Sequence, residues 1–235
     1  MFFIARAPSF FGAGFSVALF VLGSSNIGTA CQPPTVIREA TPAEIRVYFK
    51  DQHKTVLTLL GYSGADYEDK AALLARASEI LDRADPKMTI VNIGATPDGI
   101  GAVYELAKKK GFPTSGIVST QARDSKASLS TCVDVVFFVK DASWGGFLEG
   151  TERLSPTSSA LVDVSDRLVG IGGGEVTRDE LIAAKRAGKD VTFIPADMNH
   201  TIARERALKR GQAVPTDFRG AAGVAFGPAP RPPAK

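Results

Sequence analysis

The chain has 235 residues, 44% hydrophobic and 23% charged, which suits one ordinary globular domain with a sizeable core. Its formal charge of +3 is small and its basic residues are dispersed, apart from Lys108 to Lys110 at a predicted helix end, where the macrodipole favours cations. A nucleic-acid partner is therefore not expected. The two histidines, His53 and His200, lie far apart and there are only two cysteines, a composition that predicts neither a metal site nor a disulfide framework.

Residues 1–30 differ from the rest. One basic residue, Arg6, precedes an apolar run from Phe10 to Leu22, and small residues follow as far as Ala30 and Cys31. The run is shorter than the roughly 20 residues of a spanning helix and has the layout of a signal peptide, so the protein is expected to be exported, periplasmic or lipid-anchored. "GTA" (Gly28 to Ala30) offers small residues to a general signal peptidase, whereas "GTAC" resembles a bacterial lipobox in which Cys31 carries the lipid and is the only membrane attachment. An apolar helix that stays attached is the alternative. Residues 31–53 read as a proline-containing tether, with a short helix or edge strand as alternatives. Residues 54–210 read as the folded domain and residues 211–235 as a flexible Pro-rich tail.

Within the domain, short β-rich runs alternate with helical patterns. "TVLTLL" (Thr55 to Leu60) leads to a helix on which Tyr67, Ala71, Leu74, Ala77 and Leu81 recur at helical spacing. "MTIVNI" (Met88 to Ile93) leads into a second helix, with Pro97 at its first position and Gly111 at its C-cap. Thr114 to Thr120 and Val133 to Lys140 are the third and fourth strands, and Cys132 at a strand edge reads as a small buried hydrophobe. After a helical "TSSALVDVSD", "RLVGI" and "VTFIPA" complete six. Alternation of this kind predicts a three-layer α/β/α fold with a mostly parallel sheet of about six or more strands, because parallel neighbours require crossovers.

Ligands of open parallel sheets bind beyond the carboxyl ends of the strands, where helix N-termini present free N–H groups. Three loops there are glycine-rich: Gly61 to Gly64 with Ser63, "GATPDGIG" with Gly94, Gly99 and Gly101, and "GGGEVT" from Gly172 to Thr177. Each alone serves chain geometry as readily as binding; together they predict a pocket for an anion. Neither a "GxxxxGK[ST]" nor a "GxGxxG" loop is present, and Ser143 in "DASWGG" is not a nucleophile elbow.

The three loops in order, "LLGYSGADY", "VNIGATPDGIGAVYELAKKKGFPTSGIVS" and "SDRLVGIGGGEVTRDELIAAKRAGKDV", resemble the Rossmann-like proteins grouped with the LOG (LONELY GUY) phosphoribohydrolases. That group also takes in molybdenum-cofactor carrier proteins and nucleotide-sensing domains. The resemblance spans Val56 to Ile194. Gly99, Gly101, Val103 and Gly111 match the second loop, while Gly173, Gly174, Thr177 and Glu180 match the hallmark "PGGxGTxxE". It implies a Rossmann-like domain that binds a nucleotide or other phosphorylated ligand at Gly61, Ser63, Gly64, Gly94, Gly99, Gly101, Gly172, Gly173, Gly174 and Thr177, with Glu180 as a catalytic carboxylate and a homodimer as an assembly to test. Gly172 replaces the hallmark proline, Val176 its second glycine, and the "MxxRK" arginine motif on the preceding helix is absent.

Two residues carry competing readings. "TRDE" is also a capping box, with Thr177 as N-cap and Glu180 reaching back from N3. Trp144, the sole tryptophan, either stacks on a base, with Asp141, Glu149 or Arg153 fixing polar edges, or plugs the core. The expected function is a carrier or binding protein for a nucleotide-like or other phosphorylated small molecule. The alternatives are a nucleoside 5'-monophosphate phosphoribohydrolase and an interaction module that has lost its ligand.

Overall fold

The computed structural model describes Met1 and residues 31–228. The expected export signal at 1–30, apart from Met1, and the end of the proline-rich tail, 229–235, lie outside the described residues. Seven parallel strands form one sheet in the order β1-β5-β4-β3-β2-β6-β7. They are β1 (Val36–Glu39), β2 (Thr55–Gly61), β3 (Thr89–Ile93), β4 (Thr114–Ser119), β5 (Val135–Val139), β6 (Arg167–Ile171) and β7 (Asp190–Ile194). All six strands expected from the apolar runs are present, and the architecture is a Rossmann-like three-layer α/β/α sandwich.

Burial on both faces explains why the central strands read as continuous apolar runs. In β2, Leu57 and Leu59 join a core with α2 (Lys70–Leu81) and α3 (Val103–Lys109) on one face. Val56 and Leu60 join the opposite core with α1 (Pro42–Asp51), α5 (Pro156–Val164) and α6 (Glu175–Arg186). One polar row interrupts the apolar interior. The Thr58 and Ser165 hydroxyls lie 2.6 Å apart, Asn92 donates to Thr58 and Ser115 donates to Asn92, which fixes β2, β3 and β4 side by side.

Five sequence expectations need correction. The apolar face of α2 is Leu73, Ala77, Ile80 and Leu81; Ala71 and Leu74 face solvent, and Tyr67 lies before the helix with its hydroxyl donating to the Ile171 carbonyl. Pro97 precedes a short 3-10 turn, Gly99–Ala102, instead of opening an α-helix, while Gly111, at φ +84°, ends α3 as expected. Residues 31–53 are not a tether but the edge strand and short helix held as its alternatives: β1 pairs with β5 at the sheet edge, and α1 carries a complete capping box, Thr41 with Glu44, and packs on α5. The expected tail from 211 likewise folds in part: after α7 (His200–Lys209) at the end of the expected domain, α8 (Gly220–Phe226) packs on α6.

The cysteines hold the fifth. Cys31 and Cys132 form a disulfide across 101 residues, where the sequence predicted a lipidated or terminal cysteine and a separate buried one. The parallel pairing of β1 on β5 brings Cys31, a few residues before β1, beside the β4–β5 connection, a proximity that no local pattern encodes.

Candidate functional site

From β2 the chain proceeds to β3 and β4, and from β6 to β7, on the opposite side. Neighbouring strands whose crossovers diverge leave a crevice at their carboxyl ends. A cavity of about 500 Å3 occupies this edge, spread over the ends of β2, β3 and β4 and walled by α5 and α6. Its size suits a small organic ligand. A second hollow of about 480 Å3 lies past β6 and β7, against α2 and the C-terminal segment, and none of the residues expected at the site lines it.

Seven expected residues line the carboxyl-edge cavity: Gly61, Ser63, Gly64, Gly94, Trp144, Thr177 and Glu180. Gly99, Gly101, Gly172, Gly173 and Gly174 do not. Gly172 and Gly173 instead turn the chain from β6 into α6 at φ +57° and +130°, where a Gly172 Cβ would meet the Ala196 carbonyl and the Tyr62 ring. The turn is held from the other side, since Ala222 donates to the Gly173 carbonyl and the Tyr62 hydroxyl donates to that of Arg219 at 2.6 Å. Burial raises the Tyr62 phenol to about 12, against the opposing pull of its backbone contact at Gly173, so it remains a donor.

This turn overturns the capping-box reading. Because the two glycines complete the reversal early, α6 begins at Glu175 with Gly174 as its N-cap, so Thr177 and Glu180 lie inside the helix. Thr177 donates to the Gly61 carbonyl at 3.3 Å and thereby ties α6 to the end of β2. With no side chain at the cap, the backbone N–H groups of Glu175, Val176 and Thr177 have no acceptor among the described residues. Val176 and Thr177 line the cavity, so these donors stand at its wall.

Glu180 is buried, and its Oε1 accepts a 2.6 Å hydrogen bond from Ser158 Oγ on α5. Burial pushes its carboxyl up to about 7; the Ser158 hydroxyl pulls it down and the neighbouring Asp179 charge pushes it further up. Beside it Thr157, only 5% exposed, lines the cavity, with its backbone N–H and its hydroxyl turned to the Asp141 carboxylate. The remaining wall is mostly aliphatic, including Leu59, Ile93, Ile117, Val118 and Leu161. Among the described residues no lysine, arginine or histidine lines it, and the charged residues there are Glu180 and, at the rim, Asp98.

Trp144 does not plug the core: it is 55% exposed at the cavity. The turn behind it is pinned to the helices. Gly145 and Gly146 adopt φ +127° and +83°, close against Ser158, Val176 and Asp179, and Gly146 N donates to Ser158 Oγ. Phe147 N donates to Asp179 Oδ2. Asp141 fixes the base of the loop, accepting from Ser143 N and Thr157 N at 2.9 Å each. Burial opposes its charge, but these N–H groups outweigh burial and hold its carboxyl below the usual range. Asp141 is thus a loop anchor, while Glu149 and Arg153 are exposed and off the cavity. Thr157 and Ser158 were not legible as site residues, because "SPTSSA" reads as an ordinary helix start, whereas Asp179 is legible beside Glu180 as a carboxylate of the site.

The fold and cavity define a Rossmann-like α/β protein with a ligand-sized hollow at the carboxyl edge of its sheet. No family model matches the chain, and no curated protein does. Among solved structures it is similar to the Moco carrier protein from Chlamydomonas reinhardtii, at 18% identity and a TM-score of 0.44, over 73% of this chain and 95% of that one. It is also similar to TM1055, a structural-genomics target, at 21% identity and a TM-score of 0.44, over 58% of this chain and 72% of that one.

Proposed function

We propose that the protein binds a nucleotide-like or other phosphorylated small molecule in the cavity without turning it over. The observation that carries this reading is the uncapped N-terminus of α6, whose free N–H groups stand at the cavity wall and favour an anion. Absence of turnover follows from the lining. Among the described residues Glu180 is the only buried carboxylate there, and α5, the helix on which the LOG pattern carries its arginine, presents Thr157 and Leu161 to the cavity. Cleavage of an N-glycosidic bond needs both stabilisation of the cationic sugar and firm anchoring of the phosphate. The test is native mass spectrometry of gently purified protein for a co-purifying phosphorylated molecule, followed by calorimetric titration with ribose 5-phosphate. No binding and no co-purified phosphate compound would refute the reading.

The LOG-type hydrolase is the second reading, favoured by Glu180, whose carboxyl near 7 suits proton transfer at neutral pH. Release of free base from AMP, lost in Glu180→Gln with the fold retained, would establish it. Export belongs to the proposal as well. The disulfide supports it, since such bonds persist in oxidising compartments. The same bond occupies the Cys31 thiol that a lipid anchor would need, so anchor and disulfide exclude each other. Homodimerisation is part of the proposal and is read by light scattering.

A further inference from the structure

The anion reading leaves a deficit: among the described residues the cavity wall offers backbone N–H groups but no cation. The helix after β7 brings one to the mouth. α7 buries only Ala207, so packing does little to place it. Polar contacts place it instead, and they converge on the loop that follows β2. Asn199 N donates to the Asp66 carbonyl, His200 N to Glu68 Oε2, and Arg206 Nη2 to the Gly64 carbonyl at 2.5 Å. α7 therefore lies along this loop with Arg206 at the end nearest the cavity, because Ser63 and Gly64 line the cavity and Asp66 and Glu68 do not. Gly64 has no side chain to hold the guanidinium away; a Cβ there would stand 3.1 Å from Nη2.

The same loop starts at Gly61, whose carbonyl accepts from Thr177 of α6. The chain from Gly61 to Gly64 spans at most about 11 Å, so the guanidinium and the uncapped start of α6 flank one short stretch of cavity wall. Arg206 is exposed, and the Gly64 carbonyl is its one polar contact among the described residues, which leaves most of its N–H donors for a ligand. Other cations of these elements are already matched: Lys70 pairs with Asp66, Arg178 with Asp179, and Arg204 lies over the Phe218 ring.

We propose that Arg206 is the cation of the binding site, gripping the anionic group of the ligand at the mouth while the N–H groups of α6 face it from the wall. This rests on the ligand-binding reading above and adds a residue that the resemblance does not supply, because the resemblance ends at Ile194 and α7 lies beyond it. A guanidinium offers a fork of N–H groups that fits two phosphate oxygens. Because it reaches the ligand at the mouth, it tightens binding without taking the place of the arginine missing from α5.

Calorimetric titration of the full chain with ribose 5-phosphate and with inorganic phosphate tests the assignment. Arg206→Gln is expected to weaken both about tenfold at low ionic strength. Its urea midpoint should match the parent's, since the side chain is exposed. A residue that acts by charge loses its advantage in salt, so the difference should narrow to about twofold in about 0.5 M sodium chloride; one that only shapes the loop keeps it. Arg206→Lys, which retains the charge without the fork, should lose about threefold. Arg204→Gln removes a charge from the same helix and should bind like the parent. Equal binding by the parent and Arg206→Gln, or a difference that survives high salt, would overturn the role of Arg206 and leave the phosphorylated-ligand reading standing. A parent that binds neither probe defeats both.

Discussion

Glu180→Gln tests the electrostatics of the site without any ligand. Glu180 is 4% exposed, and burial raises its carboxyl from the ordinary 4.5 to about 7. The folded state therefore holds this proton more tightly than the unfolded chain does. The stabilisation is fully present below about pH 4.5 and is lost as pH rises toward 7, because the unfolded chain ionises first. At about 1.4 kcal/mol per pH unit, the loss approaches roughly 3 kcal/mol in total, of which about 2–3 kcal/mol falls between pH 5 and 8. Glutamine keeps an acceptor for Ser158 and carries no charge, so this share of the pH dependence disappears in the variant. Asp179 behind the carboxyl, Asp141 at the base of the neighbouring loop and Asp98 at the rim are common to both proteins and largely cancel in the difference. Urea denaturation at pH 5, 6, 7 and 8 should show the variant gaining on the parent by about 2–3 kcal/mol across the series, equivalent to several degrees in Tm near pH 8. Parallel stability profiles would refute the buried-carboxyl reasoning.

The other predictions follow from the same geometry. Gly174 is the N-cap of α6 at φ −87° with open space where a Cβ would stand, so Gly174→Asp should leave the fold intact and raise stability by a few tenths to about 1 kcal/mol. Its carboxylate should occupy the N–H groups offered to an anion, and ribose 5-phosphate affinity should drop by more than about tenfold; unchanged affinity by calorimetry would misplace the anion site. Cys132→Ser removes a bond that closes 101 residues and should lower unfolding free energy by about 2–5 kcal/mol, with reductant producing the same loss in the parent and none in the variant. Thiol labelling of the unreduced parent should find no free cysteine. Intact-mass measurement from the native host should place the mature N-terminus at or near Cys31; an exported reading does not survive a soluble cytoplasmic product that retains residues 1–30.

Much of the fold was legible in short windows of chain. The apolar runs from Thr55, Met88, Thr114, Val133, Arg167 and Val191 are strands because central parallel strands bury both faces, and the glycine-rich loops mark the edge where they end. Windows of that size misjudged the rotation of α2, since "YEDKAALLARASEIL" contains apolar residues for two overlapping stripes and only packing on β2 and β3 selects Leu73 and Ile80 over Ala71 and Leu74. They misplaced the start of α6 for a related reason. A capping box and the interior of a helix share the same letters, and the turn at Gly172 and Gly173 decides between them.

What the sequence determined by itself was local: an α/β alternation, the glycine loops and their place at the carboxyl edge, the sole tryptophan in an unusual insertion, and a carboxylate, Glu180, near the third loop. Tertiary structure alone decided that β1 joins β5 and brings Cys31 to Cys132, that Trp144 faces the cavity instead of the core, and that Ser158, from a different helix, holds Glu180. These facts concern pairs far apart along the chain, brought together by sheet order and helix packing. Local periodicity reports which face of an element is buried; it carries no information on which distant group shares that burial, and at this site the distant groups set the charge, the polarity and the shape.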